Sequence, residues 1–291
     1  MSIEVGTEQP VPIVVKPPST VTLLQKRVML TMPWQKMTNP ITSFCVQQLA
    51  DKRRTSAMLN FGDAFVAHAR NKCADIFLQS DFEWMLTLDD DMLFPFGNAK
   101  WFNAHLGRDL PEPFASFNAI DRLLSHGKTL IGGLYWGRWK GGGPVYAEGR
   151  KEIEWARKAP FDKIRQTRWI GTGCLLIHRS VFEDIEKKFP YLARGANGEG
   201  GNWFSTSEHN VMASLNGLHK MLGDGAMDGE KAMRAYQMTT AMLAETKAKS
   251  SLGMGEDAQL CTRALEAGHP CWVDMGLLCG HIGYHVYNGL E

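Results

Sequence analysis

No run of apolar residues in this 291-residue chain approaches the roughly 20 that a membrane-spanning helix needs. The chain also lacks a basic start followed by an apolar stretch, so a secretory signal is not expected and a cytoplasmic location is. An excess of charge is missing too. With 32 Lys and Arg against 31 Asp and Glu, no global field draws in nucleic acid or an anionic membrane, although a local basic groove stays open. Cys-x-x-Cys pairs are absent. The six cysteines (Cys45, Cys73, Cys174, Cys261, Cys271 and Cys279) are scattered, which fits reduced, buried thiols better than a disulfide framework. The nearest approach to a zinc set, Cys271, Cys279 and His281, has no recognised ligand spacing. Internal repeats and low-complexity segments are lacking as well.

What is present is an ordinary globular composition, 44% hydrophobic, long enough for one large α/β domain or two small ones. Residues 1–20 carry four prolines and no apolar periodicity, which reads as a flexible leader before a single domain over 21–291. Residues 27–32 read as a first core strand stopped by Pro33 and Trp34. A helix is expected from 41 to 51 and a second strand near 57–60. Between 63 and 78, Phe65, Val66, Ala69, Cys73, Ile76 and Phe77 recur at helical spacing. Residues 84–88 are mostly apolar, the mark of a strand buried on both faces. Strand, helix, strand, helix, strand in that order predicts a doubly wound, mostly parallel sheet.

Further along, a helix is expected over 119–126 and a strand from 129. Gly132 and Gly133 within that strand mark a close approach of backbone or ligand. Residues 150–168 are basic, but interleaved acids make them a solvated face. Another buried strand, 169–178, begins with the glycines Gly171 and Gly173 around Thr172. Ser180 is placed to cap a helix over 181–188, with Glu183 at the capping-box position. Residues 205–250 lack strand signals and read as a helical insertion, a possible lid. Glu256 and Asp257 open a last helix over 256–267.

Three carboxylates, Asp89, Asp90 and Asp91, follow the 84–88 strand directly. Ligands in open α/β sheets bind outside the carboxyl ends of strands. In an extended chain Asp89 and Asp91 share a side while Asp90 points away. Two carboxylates on one side suit a hard divalent cation, which also relieves their repulsion. The plain alternative is an acidic turn with its charges in water. A phosphatase-type Asp-x-Asp motif does not fit, because Leu93 stands where that motif needs Thr or Val.

Four pieces now stand in order: Ala69-Arg70-Asn71 on a helix, Leu88-Asp89-Asp90-Asp91 after a strand, Gly255-Glu256-Asp257 opening a helix, and Gly280-His281-Ile282-Gly283. Over residues 25–285 this pattern resembles the metal-dependent GT-A glycosyltransferases with an Asp-x-Asp motif, in particular the family-2-like enzymes using nucleotide-sugar donors. The resemblance implies a nucleotide-diphospho-sugar transferase-like fold, with the helical insertion before the C-terminal motif. It implies Mn²⁺ or Mg²⁺ and a nucleoside-diphosphate sugar, a UDP-sugar first of all, as donor. Asp89, Asp91 and His281 would hold the metal and, through it, the diphosphate. Thr31, Pro33 and Trp34, on the loop after the first strand, would cradle the nucleotide, with Arg70, Asp89 and Asp90 also on the donor side. Asp257 would be the general base in an inverting displacement, with Glu256 beside it. Tyr135, Trp136, Arg138 and Trp139, with Gly171, Thr172 and Gly173, would meet the acceptor or the donor sugar. The acceptor stays open among a glycan, a protein and a hydroxylated base on nucleic acid.

The chemistry is consistent on independent grounds. A divalent ion stabilises a leaving diphosphate, and a carboxylate that takes the proton of an attacking hydroxyl contributes about 10²–10⁴-fold. An acid at a helix N-terminus is expected to stay ionised. Two other readings use the same residues. One is a nucleotidyltransferase, which would want a glycine-rich phosphate loop after the first strand. The other is a non-catalytic carbohydrate- or nucleotide-binding module with a structural ion.

Overall fold

Trp84, Met85, Leu86, Thr87 and Leu88 are all buried and form a strand with neighbours on both edges. An unbroken apolar run is what such a position demands, since burying each large side chain is worth about 1.5–3 kcal/mol. The computed structural model describes residues 26–34, 38–51, 56–62, 65–138, 143–145, 163–192, 200–204, 233, 236–237, 240–241, 255–283 and 286–288. The strands are β1 (Val28–Trp34), β2 (Ser56–Gly62), β3 (Trp84–Leu88), β4 (Met92–Leu93), β5 (Leu130–Leu134), β6 (Ile164–Thr167), β7 (Cys174–His178), β8 (Cys271–Leu278), β9 (Gly280–Ile282) and β10 (Val286–Tyr287). Interleaved with them are α1 (Pro40–Asp51), α2 (Val66–Gln79), α3 (Ala99–Leu106), α4 (Glu112–Ala115), α5 (Ala119–Ser125), α6 (Arg179–Lys188) and α7 (Glu256–Glu266). The expected leader and most of the expected insertion lie outside the described residues.

Seven strands form one mixed sheet in the order β2-β1-β3-β7-β5-β8-β6. β1 runs parallel to both β2 and β3, and β5 parallel to β8. β7 runs against β3 and β5, and β6 against β8. Five strands therefore share one direction and two oppose it. A smaller sheet, β10-β9-β4, is antiparallel. The chain is thus a mixed α/β structure whose main sheet is mostly parallel. No helix among the described residues is long and apolar enough to cross a membrane.

Several local expectations change. β1 continues through Pro33 to Trp34. Beyond Thr31 it pairs with β2 alone, and a strand with one open edge tolerates a residue without an N–H. Thr31 consequently lies within the strand, fully buried, and not on a loop. α6 begins at Arg179, and its cap is His178, whose ring Nδ1 accepts from the Ser180 N–H at 3.3 Å; Ser180 does not cap it. α1 begins on Pro40, where a missing N–H costs nothing, and the Asn39 side chain accepts from the Ile41 N–H at 2.9 Å. The glycines of β5 serve backbone packing: a Cβ on Gly132 would lie 2.6 Å from the Cys174 carbonyl oxygen. Arg179 donates to the carbonyls of Phe77, Leu78, Ser80 and Phe82 at 2.6–3.0 Å, which ties the end of α2 and the entry to β3 in place.

Candidate functional site

β1 hands the chain to β2 on one side of it, whereas the chain leaving β3 next joins the main sheet at β5, on the other side. Where neighbouring parallel strands send the chain opposite ways, a crevice opens at their carboxyl ends. A cleft of about 340 Å³ lies there, lined by Pro33 from β1 and by Asp89, Asp90 and Asp91 after β3. That volume is at the lower end for ligand pockets. Val66, Ala69 and Arg70 enter it from α2, Glu256 from the start of α7, and His281 from β9. Arg138 stands at its rim. The apolar spacing that marks α2 in the sequence includes Val66 and Ala69 without assigning them to the site; they sit four and one residues before Arg70, so the helical period places Val66 on its face.

The acids do not alternate. Asp90 and Asp91 form a turn, not extended chain, and all three residues line the cleft. Burial first, then Asp91 and Asp89, pushes the Asp90 carboxyl up to about 6. Arg70 Nη2 donates to Asp89 Oδ1 at 2.5 Å, and Nη1 donates to Glu256. Arg70 is only 5% exposed. Burial works against its charge, but Asp89 and then Glu256 hold it protonated well above the usual guanidinium range. Arg70 thus binds two carboxylates, and Asp89 is claimed by it. Asp89, Asp91 and His281 do not form a joint cage, and no ready metal group of three such side chains occurs among the described residues.

Asp91 and His281 do come together. β4 pairs with β9 so that Met92 faces His281, and the Ile282 N–H donates to the Asp91 carbonyl at 2.7 Å. A Cβ on Gly280 would press on Val286 at 2.6 Å and Leu93 at 3.2 Å, so glycine there lets β9 approach β4. His281 Nδ1 lies 2.8 Å from the Trp136 carbonyl, which can only accept, so Nδ1 carries a hydrogen. His281 Nε2 lies 3.4 Å from Asp91 Oδ1. Asp91 Oδ1 is buried and has no hydrogen bond. A buried carboxylate oxygen that close to an imidazole nitrogen is favoured by a positive charge between them, a proton or a cation. Metal-binding histidines characteristically donate their other nitrogen to a carbonyl in this way. Asp91 and His281 are the residues that would hold a small divalent cation here.

Asp257 lies beside Glu256, and its Oδ1 accepts from the Ala258 N–H at 2.8 Å. The helix terminus does not win here: burial, then Glu256, raises the Asp257 carboxyl above the ordinary range against the pull of Arg70. Both acids were expected to line the site, and of the two only Glu256 lines the cleft itself.

The aromatic loop differs from its expected role. Tyr135 and Trp136 are buried and offer no face to a ligand in solution. Tyr135 accepts from the Gly173 N–H at 3.0 Å and lies edge-on to His281, with ring centres 5.6 Å apart. Trp136 serves the site through its carbonyl. Gly171, Thr172 and Gly173 are buried behind Asp89, and a Cβ on Gly173 would come within 3.2 Å of Asp89 Oδ2. Among the described residues of this loop, Arg138 keeps an exposed side chain and lines the cleft. Trp139 and the Trp34 side chain lie outside the described residues. Nor do Cys271 and Cys279 join His281: their thiols turn to the carbonyls of Cys261 and Leu277, and all six cysteines are free and buried.

No family model matches this sequence, and no curated protein matches it. Among solved structures the chain is similar to the crystal structure of A197 from STIV, at 14% identity and a TM-score of 0.43, over 88% of this chain and 86% of that one.

Proposed function

We propose that this chain is a metal-dependent glycosyltransferase of GT-A architecture, moving a sugar from a nucleoside-diphosphate donor to an acceptor hydroxyl. The observation that carries the reading is the Asp91–His281 pair: a buried, unbonded carboxylate oxygen 3.4 Å from an imidazole nitrogen whose partner nitrogen is fixed on a carbonyl. It stands at the crevice where α/β sheets bind nucleotides. The four carboxylates Asp89, Asp90, Asp91 and Glu256 line that cleft against the two guanidiniums of Arg70 and Arg138. Two negative charges are left over with His281 neutral, the complement of one divalent ion.

Bound between Asp91 and His281, Mn²⁺ or Mg²⁺ would take up the negative charge of the departing diphosphate. Pro33, Val66 and Ala69 also line the cleft and would meet the nucleoside. Arg70 sets Asp89 and Glu256 relative to one another, so the donor side and the start of α7 form one rigid unit. Asp257 takes the acceptor proton in an inverting displacement. Its raised carboxyl is better matched to that task than an ordinary acid, because a base works best near the operating pH. The donor is a UDP-sugar in the first instance, and the charge and size of the cleft admit other nucleoside diphosphates.

A thermal-shift screen of nucleotide sugars with and without Mn²⁺ tests this. Stabilisation by a donor only when Mn²⁺ is present, with donor hydrolysis that a chelator stops, is the expected outcome. Binding without any turnover would leave a carbohydrate- or nucleotide-binding module. Release of pyrophosphate from a nucleoside triphosphate and a sugar phosphate would mark a nucleotidyltransferase. No stabilisation by any donor would remove the reading.

A further inference from the structure

Asp91 has two oxygens in two different situations. Oδ1 faces His281, while Oδ2 accepts from Arg138 Nη1. The Arg138 side chain is 54% exposed and that of Asp91 19%, so a largely solvated cation has come down on a largely buried carboxylate. The backbone just before Arg138 is held: Trp136 bridges Pro144, the Gly137 N–H donates to the Gly143 carbonyl at 3.1 Å, and the Val145 N–H to that of Tyr135 at 2.8 Å. Any exchange at Asp91 is therefore made by the long Arg138 side chain, which is mostly in solvent. It also acts on Asp90, whose carboxyl it favours in the charged form.

A guanidinium and a divalent ion compete for the same Asp91 carboxylate. A pair whose cation is largely solvated is weak, worth no more than a few-fold in affinity, whereas an ion would gain both Asp91 and His281. A nucleoside diphosphate that follows the ion brings negative oxygens to the place Arg138 has just vacated. An arginine freed there meets them with its planar fork, the group best suited to phosphate oxygens.

Resting on the glycosyltransferase reading and deepening it, we propose that Arg138 is an exchangeable stand-in for the divalent ion. It neutralises Asp91 while the metal is away, is displaced when the metal arrives, and then closes on the donor's diphosphate. One side chain therefore opposes metal binding and supports donor binding. A residue with a merely structural role does not give effects of opposite sign.

The test measures two affinities on purified full-length protein. Mn²⁺ alone is titrated with free Mn²⁺ read by electron paramagnetic resonance, and UDP and GDP are titrated by calorimetry at saturating Mn²⁺. Arg138→Gln is expected to bind Mn²⁺ about two- to five-fold more tightly than the parent. The same variant is expected to bind the better nucleoside diphosphate about ten-fold more weakly. Arg138→Lys keeps the charge without the fork, so its Mn²⁺ affinity stays near the parent's while diphosphate binding falls part of the way. If both affinities fall together in Arg138→Gln, or neither moves, the stand-in role is wrong although the metal site survives. If neither parent nor variant binds Mn²⁺, the metal-dependent reading fails and takes this one with it. Arg138 is exposed, so a folding defect is not expected, and a circular dichroism melt of each variant checks that.

Discussion

Arg70 Nη2 lies 2.5 Å from Asp89 Oδ1, and the same guanidinium also donates to Glu256. A buried arginine between two carboxylates joins the acid cluster after β3 to the N-terminus of α7, two segments that meet only in the folded chain. Its removal leaves two carboxylates facing each other across a half-buried gap.

Arg70→Met should therefore cost about 3 kcal/mol, the lower end for breaking a buried ion pair because the carboxylates keep some solvent. Arg70→Lys should recover only part of it, since one ammonium does not span both partners as the fork does. Urea unfolding of the two variants measures this, and equal stability of Met and Lys variants would show that the bridge contributes little.

The Asp91–His281 pair makes a second prediction. On the proposed reading Asp91→Asn and His281→Ala should each weaken Mn²⁺ binding by at least ten-fold, and the double variant should be little worse than either single one, because both residues would serve one ion. Additive losses would place the two side chains at separate sites.

Asp257→Asn should leave Mn²⁺-dependent donor binding at the parent level while transfer drops by about 10²–10⁴-fold. The readout is donor affinity by thermal shift beside product formation under single-turnover conditions. Parent-level transfer by this variant would remove Asp257 as the base.

A pH effect belongs to Asp274 on β8, which is fully buried and away from the cleft. Burial pushes its carboxyl up, but the hydrogen bonds from His126 at 2.8 Å and from Arg122 at 2.6 and 2.9 Å outweigh that and hold it below the ordinary range. A carboxyl lower in the folded than in the unfolded chain stabilises fully above its unfolded value, about 3.9, and loses that contribution as pH falls through the folded value. Melting temperature from pH 7 to pH 3 should fall more steeply for the parent than for Asp274→Asn, with the gap between them closing below about pH 4.

Gly132→Ala should destabilise by about 1–3 kcal/mol, since the new methyl group would meet the Cys174 carbonyl inside the sheet and backbone does not yield easily. Its Mn²⁺ affinity should remain that of the parent, because the contact lies within β5 and β7.

Much of this was legible in the chain because burial writes itself into composition. β3 falls on the apolar run 84–88, and α7 begins on the two acids expected to open it. Strand direction is another matter. β7 begins with four buried residues and is as apolar as a parallel strand, and nothing in them tells which way they run. β4 has two residues and β9 three, too few for any periodicity, yet their pairing is what carries His281 to Asp91. Alternation failed at Asp90 because the chain turns there, and a turn of charged residues leaves no period to read. Tyr135 and Trp136 were placed beside a ligand on residue type alone, whereas their environment in the core decided otherwise.

The pairing of β4 with β9 also ties distant parts of the chain together. His281 lies far along the chain from Asp91, so the imidazole reaches that carboxylate only when β9 has paired with β4, and a molecule whose β9 is unpaired keeps the acid turn after β3 without its histidine.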